Sequence, residues 1–153
     1  MFNAERVRQS WAREAAAIDA VVTTINEHTA AEAIRPDGWT THDLLGHIAS
    51  AARAFLVYTR GERSDQVDVD AANARQLERG RQRSWTDVLA YWQHTRDEIA
   101  AFLADTTDEQ GDEPANLPWL PDITTKGEAL RVLILHTRSH RQELERGFPD
   151  VQA

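Results

Sequence analysis

Apolar residues recur at three- and four-residue steps over four long stretches of this 153-residue chain, and no stretch alternates them with polar residues as a half-buried strand would. The pattern predicts an all-α fold in which each helix turns one apolar stripe to a shared core. The first stretch runs from about Ala4 to about Thr29, with Val7, Trp11, Ala15, Ile18, Val22 and Ile25 on the stripe and Arg6, Arg13, Glu14 and Asp19 on its other faces. A turn at Arg35, Pro36, Asp37 and Gly38 closes that region. The second starts at Thr40 or Thr41, with Thr40 and Asp43 in capping spacing, and reaches about Arg60, with Gly61 as its stop. A polar connector and a shorter helical piece around Ala71 to Gly80 follow. The third opens with Ser84 and Asp87 in the same spacing and ends near Asp105, and the last runs from about Thr125 to Arg146 before Gly147 and Pro149.

Between the last two helices, residues 106–123 hold Gly111, Pro114, Pro118 and Pro121, the longest irregular stretch. This segment is expected either to cover a pocket or to plug a bundle end with Trp119. No repeat, low-complexity tract or linker interrupts the chain, so the simplest sum is a single domain over residues 1–153, an up-down four-helix bundle with a long third-to-fourth helix loop.

Charge and cysteine content remove whole classes of function. With 25 acidic against 17 basic side chains, a net charge of −8, the chain lacks the summed positive charge that holds nucleic acid by counterion release. The cluster of Arg75, Arg79, Arg81 and Arg83 then reads as the cover of an exposed short helix. The absence of Cys excludes disulfides, thiolate metal sites and a cysteine nucleophile. No apolar run approaches a membrane span, and charges in the first ten residues stand where a signal peptide needs apolar ones, so a cytoplasmic protein without a membrane partner is expected.

Histidine is where chemistry is concentrated. His136 and His140 lie four residues apart on the last helix, one turn above each other, a spacing that lets two imidazoles reach one ion. His47 stands at the edge of the second helix's core face, between Leu44 and Ala51. Three inward histidines would make a three-coordinate site with open positions, and the same residues would serve equally as hydrogen-bonded core histidines. His94 and His28 fall off the core faces, and His42 is a reserve ligand in the first turn. No glycine-rich phosphate loop or nucleophile elbow is present.

GWTTHDLLGHIAS at 38–50 and LHTRSHRQEL at 135–144, with DVDAANARQLERG at 68–80 more loosely, resemble the DinB-like superfamily, which includes the mycothiol-dependent maleylpyruvate isomerases. The resemblance implies that His47, His136 and His140 bind a divalent transition metal, with Zn or Ni expected. It also implies a metal-dependent enzyme acting on a small electrophile with a low-molecular-weight thiol such as mycothiol or bacillithiol, as a transferase or isomerase, or else a hydrolase or a non-catalytic protective bundle. A homodimer is a further expectation. The isomerases typically carry Glu where this chain has His136, which favours the general triad over that specific reaction. Arg138, Arg141 and Trp119 are the expected substrate contacts, the arginines for an anionic group unless they serve as solvent-facing salt-bridge partners.

Overall fold

A computed structural model describes residues 1–152, and within them the chain forms six α-helices. Four are long: α1 (Ala4–Val22), α3 (Thr41–Thr59), α5 (Trp85–Ala104) and α6 (Lys126–Gly147). Their starts follow the predicted side chains. Thr40 and Asp43, and Thr125 and Glu128, close complete capping boxes, while the Ser84 side chain accepts from the Asp87 N–H. The first segment breaks earlier than its apolar spacing predicts. Thr23 and Thr24 bond the carbonyls of Asp19 and Val21 through their hydroxyls, and Asn26 caps a separate short α2 (Glu27–Ala30). Periodicity continues across this break because Ile25 still packs against the core.

Stripes from the four long helices meet in one core built on Trp11, Ile18, Leu44, Leu45, Ile48, Leu56, Trp92, Ile99, Leu103, Leu130 and Leu133, all essentially inaccessible. The all-α four-helix bundle is therefore the one predicted. Helix direction does not alternate strictly along the chain. Arg8 near the start of α1 reaches the carbonyls of Leu103 and Thr106 at the end of α5, so those two run antiparallel. Phe2 packs at Gly127 and Glu14 pairs with Arg138 and Arg141, so α1 and α6 run parallel. Likewise His42 meets Arg83 and Arg53 meets Glu98, which makes α3 and α5 parallel neighbours. The order is up, down, down, up, with α1 packed on α5 and α6 and α3 packed on the same two.

Parallel neighbours need the chain to travel back the length of a helix, here about 28 Å for 19 residues at about 1.5 Å each. Residues 61–68 and α4 (Val69–Arg81) make that return. Gly61, at φ +74°, turns the chain out of α3 in a conformation that a side chain disfavours. None of α4 is buried; it lies on the outside of α3, tied by Arg81 to the buried Asp43 at 3.2 Å. The segment between α5 and α6 crosses the opposite end of the bundle through a 3₁₀ turn at Glu109–Asp112. There Gly111 lets Phe2 lie directly on its backbone, a space that a Cβ would fill. Leu117 is the plug of this end, fully buried, while Trp119 turns to the groove beside α3. No helix among the described residues is long and apolar enough to cross a membrane.

Candidate metal centre

Antiparallel packing of α3 on α6 sets His47, seven residues into α3, against the middle of α6. His136 and His140, one turn apart, both face it. Ring centroids are 4.6 Å apart for His136 and His140, 4.8 Å for His47 and His140 and 5.4 Å for His47 and His136. Each ring offers one nitrogen, and the three lie within 4.8 Å of one another. Nitrogens held tetrahedrally by one ion at about 2.1 Å are about 3.4 Å apart, so side-chain rotations that bring the rings about 1 Å closer together close the set.

The chemical state of the rings fits a ligand role. Burial, which penalises the charged ring, drives His47 down to about 3, with further lowering by the charges of His140, His136 and Arg35. The same burial, with His140, brings His136 to about 4. Both are therefore neutral and hold a free lone pair near pH 7. Neither has a hydrogen-bond partner among the described residues, so the alternative of hydrogen-bonded core histidines does not describe these two. His140 differs. Its Nδ1 lies 3.2 Å from Glu143 Oε2, an acceptor, so Nδ1 carries the proton and Nε2 is left as the donor atom for an ion.

Glu143 and the segment before α3 form a support around the rings that sequence spacing did not reveal. Arg35 Nη1 donates to the same Glu143 oxygen at 3.3 Å, its Nη2 to Asp37 at 2.6 Å, and its guanidinium lies 4.4 Å from the Trp39 ring. Trp39 in turn sets an edge-on contact at 5.5 Å against His47. Only Glu143, three residues after His140, carried a readable signal, since that spacing places it on the same helix face. Arg35 and Trp39 join the site through tertiary structure alone.

His136 and His47 also line a cavity of about 370 Å³ between α3, α4, α6 and the crossing segment. Its walls are mostly apolar, with Phe55, Val132, Leu120 and Trp119 prominent. Trp119 lines this cavity. Arg138 and Arg141 do not. They point to α1, where their Nε atoms donate to the two oxygens of Glu14 at 2.7 and 2.8 Å. The reason is rotational: on α6 the histidines face α3, and the arginines fall on the side that packs against α1. His42 is also away from the triad, its Nε2 2.9 Å from the Arg83 carbonyl, and His28 is exposed.

Protonation of the depressed rings couples to folding in the metal-free protein. The unfolded chain takes up protons on these rings below about pH 6.5, whereas the folded chain resists until about 4 and 3. Their contribution is thus complete above about 6.5 and is lost as the pH falls toward the folded values, by up to about 1.4 kcal/mol per pH unit for each ring. Urea denaturation of chelator-treated protein between pH 6.5 and 5, above most carboxylate titration, is expected to show this decline, and His47→Asn to lessen it. A flat profile in that window would contradict the burial of the neutral rings.

Comparison with known proteins agrees with this architecture. YfiT from Bacillus subtilis, described as a probable metal-dependent hydrolase with an unusual four-helix bundle topology, superposes with a TM-score of 0.69 at 20% identity, covering 94% of this chain and 86% of that one. No curated protein matches by sequence. A DinB superfamily family model matches residues 7–144, a span that holds all four long helices almost entire together with His47, His136 and His140. This chain is therefore a member of the DinB superfamily.

Proposed function

We propose that the protein is a divalent-metal-dependent enzyme in which His47, His136 and His140 hold the ion, Zn or Ni, and a small electrophile binds in the adjoining cavity. The observation that carries this reading is the convergence of three imidazoles, two of which, His47 and His136, are neutral, without hydrogen bonds and in the wall of a 370 Å³ cavity. When bound, such an ion polarises a substrate oxygen or lowers the pKa of a nucleophile. The chain's own part is positional. Glu143 fixes the His140 tautomer, Trp39 orients His47, and Phe55, Trp119 and Val132 exclude water from the bound substrate.

A thiol nucleophile would come from solution, because the chain has no Cys. No carboxylate lines the cavity, so no carboxylate general base stands at the substrate. A thiol that ionises near 8.5 needs less help there than water, which favours a low-molecular-weight thiol such as mycothiol or bacillithiol and a transferase or isomerase reaction. Hydrolysis is the second reading, supported by the description of YfiT as a probable metal-dependent hydrolase. Untagged protein with its metal content measured, assayed on a panel of electrophiles with and without each thiol, separates them. Thiol-dependent product formation supports transfer, turnover without thiol supports hydrolysis, and the absence of bound metal after loading with Zn or Ni would overturn both.

A further inference from the structure

The cavity at the imidazoles has one charged side chain in its lining besides its histidines, and it is Arg63. The path between them is a row of aromatic contacts. His136 meets Phe55 at 6.0 Å, Phe55 meets Trp119 at 5.7 Å, Trp119 meets Tyr58 at 4.8 Å, and the Arg63 guanidinium lies 5.4 Å from the Tyr58 ring. Past Tyr58 a second recess of about 340 Å³ opens, lined by Arg60, Arg63 and Lys126 together with Ser64 and Asn116. In a chain with 25 acidic side chains, neither lining contains an Asp or Glu. Arg63 thus stands at the end of the cavity away from His47 and His136, and Arg60 and Lys126, the only lysine in the sequence, lie in the recess beyond it. Each of the three is paired with a carboxylate outside both linings: Arg63 with Asp65, Arg60 with Glu62 and Lys126 with Glu113.

From this arrangement we infer that the cavity takes an amphiphilic carboxylic acid, its apolar body along Phe55, Trp119 and Val132 and its carboxylate at Arg63. The substrate class follows from the walls: a neutral apolar molecule would leave the guanidinium idle, and a fully polar one would strand the aromatic row. Arg63 presents a planar fork suited to a carboxylate, as its present pairing shows, with Nε 3.0 Å and Nη2 2.6 Å from the two oxygens of Asp65. That pair lies in a connector, with both side chains more than half exposed, where an ion pair is worth about 0–1 kcal/mol. A ligand carboxylate in the place of Asp65 would take over both the Arg63 fork and the 3.3 Å bond that the Tyr58 hydroxyl donates to Asp65 Oδ1. Beside it, Arg60 is held by Glu62, its Nε 2.8 Å and its Nη2 3.3 Å from the two carboxylate oxygens.

This inference names the substrate of the site proposed above and rests on that reading for its reaction, but it is tested without metal or turnover. Chelator-treated full-length protein is titrated by calorimetry with 5-phenylpentanoate and with its uncharged primary amide, a pair alike in shape and different in charge. The acid is expected to bind about tenfold more tightly, the worth of one charge-assisted contact at a half-exposed site. Arg63→Gln, an exposed substitution, is expected to bring the two affinities together while leaving the amide unchanged. Trp119→Ala should weaken both by a similar factor. Equal binding of acid and amide by the unsubstituted protein, no binding of either, or a preference that survives Arg63→Gln would each overturn the assignment. Failure of the same protein to take up Zn or Ni, with the acid preference intact, would instead count against the metal reading alone.

Discussion

Replacement of His140 by Ala is expected to lower Zn affinity by at least about a hundredfold, because structural Zn sites bind with about 10–16 kcal/mol shared over four ligands, roughly 3 kcal/mol each. His47→Ala should act similarly, since the two rings come from different helices and neither can substitute for the other. Glu143→Gln is the finer probe. It keeps the shape of the side chain but places an amide beside His140 Nδ1, where an N–H can donate and favour the opposite tautomer. A loss of about ten- to a hundredfold is expected, the usual weight of a group that orients a ligand. Competition with a chromophoric chelator measures all three, and nitrogen chemical shifts of the His140 ring report the tautomer. Affinity unchanged in both alanine variants would remove the triad from consideration. Arg63→Gln, which touches none of these groups, is the control expected to retain metal.

A second large effect is expected between α1 and α6. Glu14 is 4% exposed, yet its carboxyl is held below the ordinary carboxylate range: burial would raise it, and the hydrogen bonds from Arg141 and Arg138 outweigh burial. Conversion of both arginines to Met strands this carboxylate in a nearly closed position and is expected to cost about 3–5 kcal/mol, the penalty of breaking a buried pair. For a domain of this length that corresponds to a drop in Tm of roughly 10 °C or more. Adding Glu14→Leu removes the stranded charge and should recover most of the loss, because an apolar replacement of a whole buried ionic cluster is often neutral. Urea denaturation with metal content measured in parallel distinguishes a staple from a substrate contact. A double variant within about 0.5 kcal/mol of the parent would show that water already satisfies Glu14.

Both effects bear on what could be read from residues in order. The capping boxes at Thr40 and Thr125 fixed helix starts because a cap is satisfied within four residues. The pairing of His136 with His140 was legible for the same local reason. Glu14 was misread as one more polar-face residue, although its helix buries it against α6. Periodicity assigns a residue to an angle on its own helix and says nothing of which neighbour waits there. The roles of Arg138 and Arg141 were misplaced by the same blindness.

The sequence by itself determined four apolar stripes, their ends, and three histidines on inward or edge positions, all quantities set by contacts within a few residues. Tertiary structure alone decided that α3 and α5 run parallel, since that depends on α4 carrying the chain back outside the core, with a weak stripe and no buried residue to announce it. It also decided that α3 lies antiparallel to α6, which brings His47 to His136 and His140 across about ninety residues of chain. The approach of Arg35 and Trp39 to the rings, and of Arg63 to the far end of the cavity, follows from that packing. Their partners are distant in sequence, and no local spacing records such a pairing.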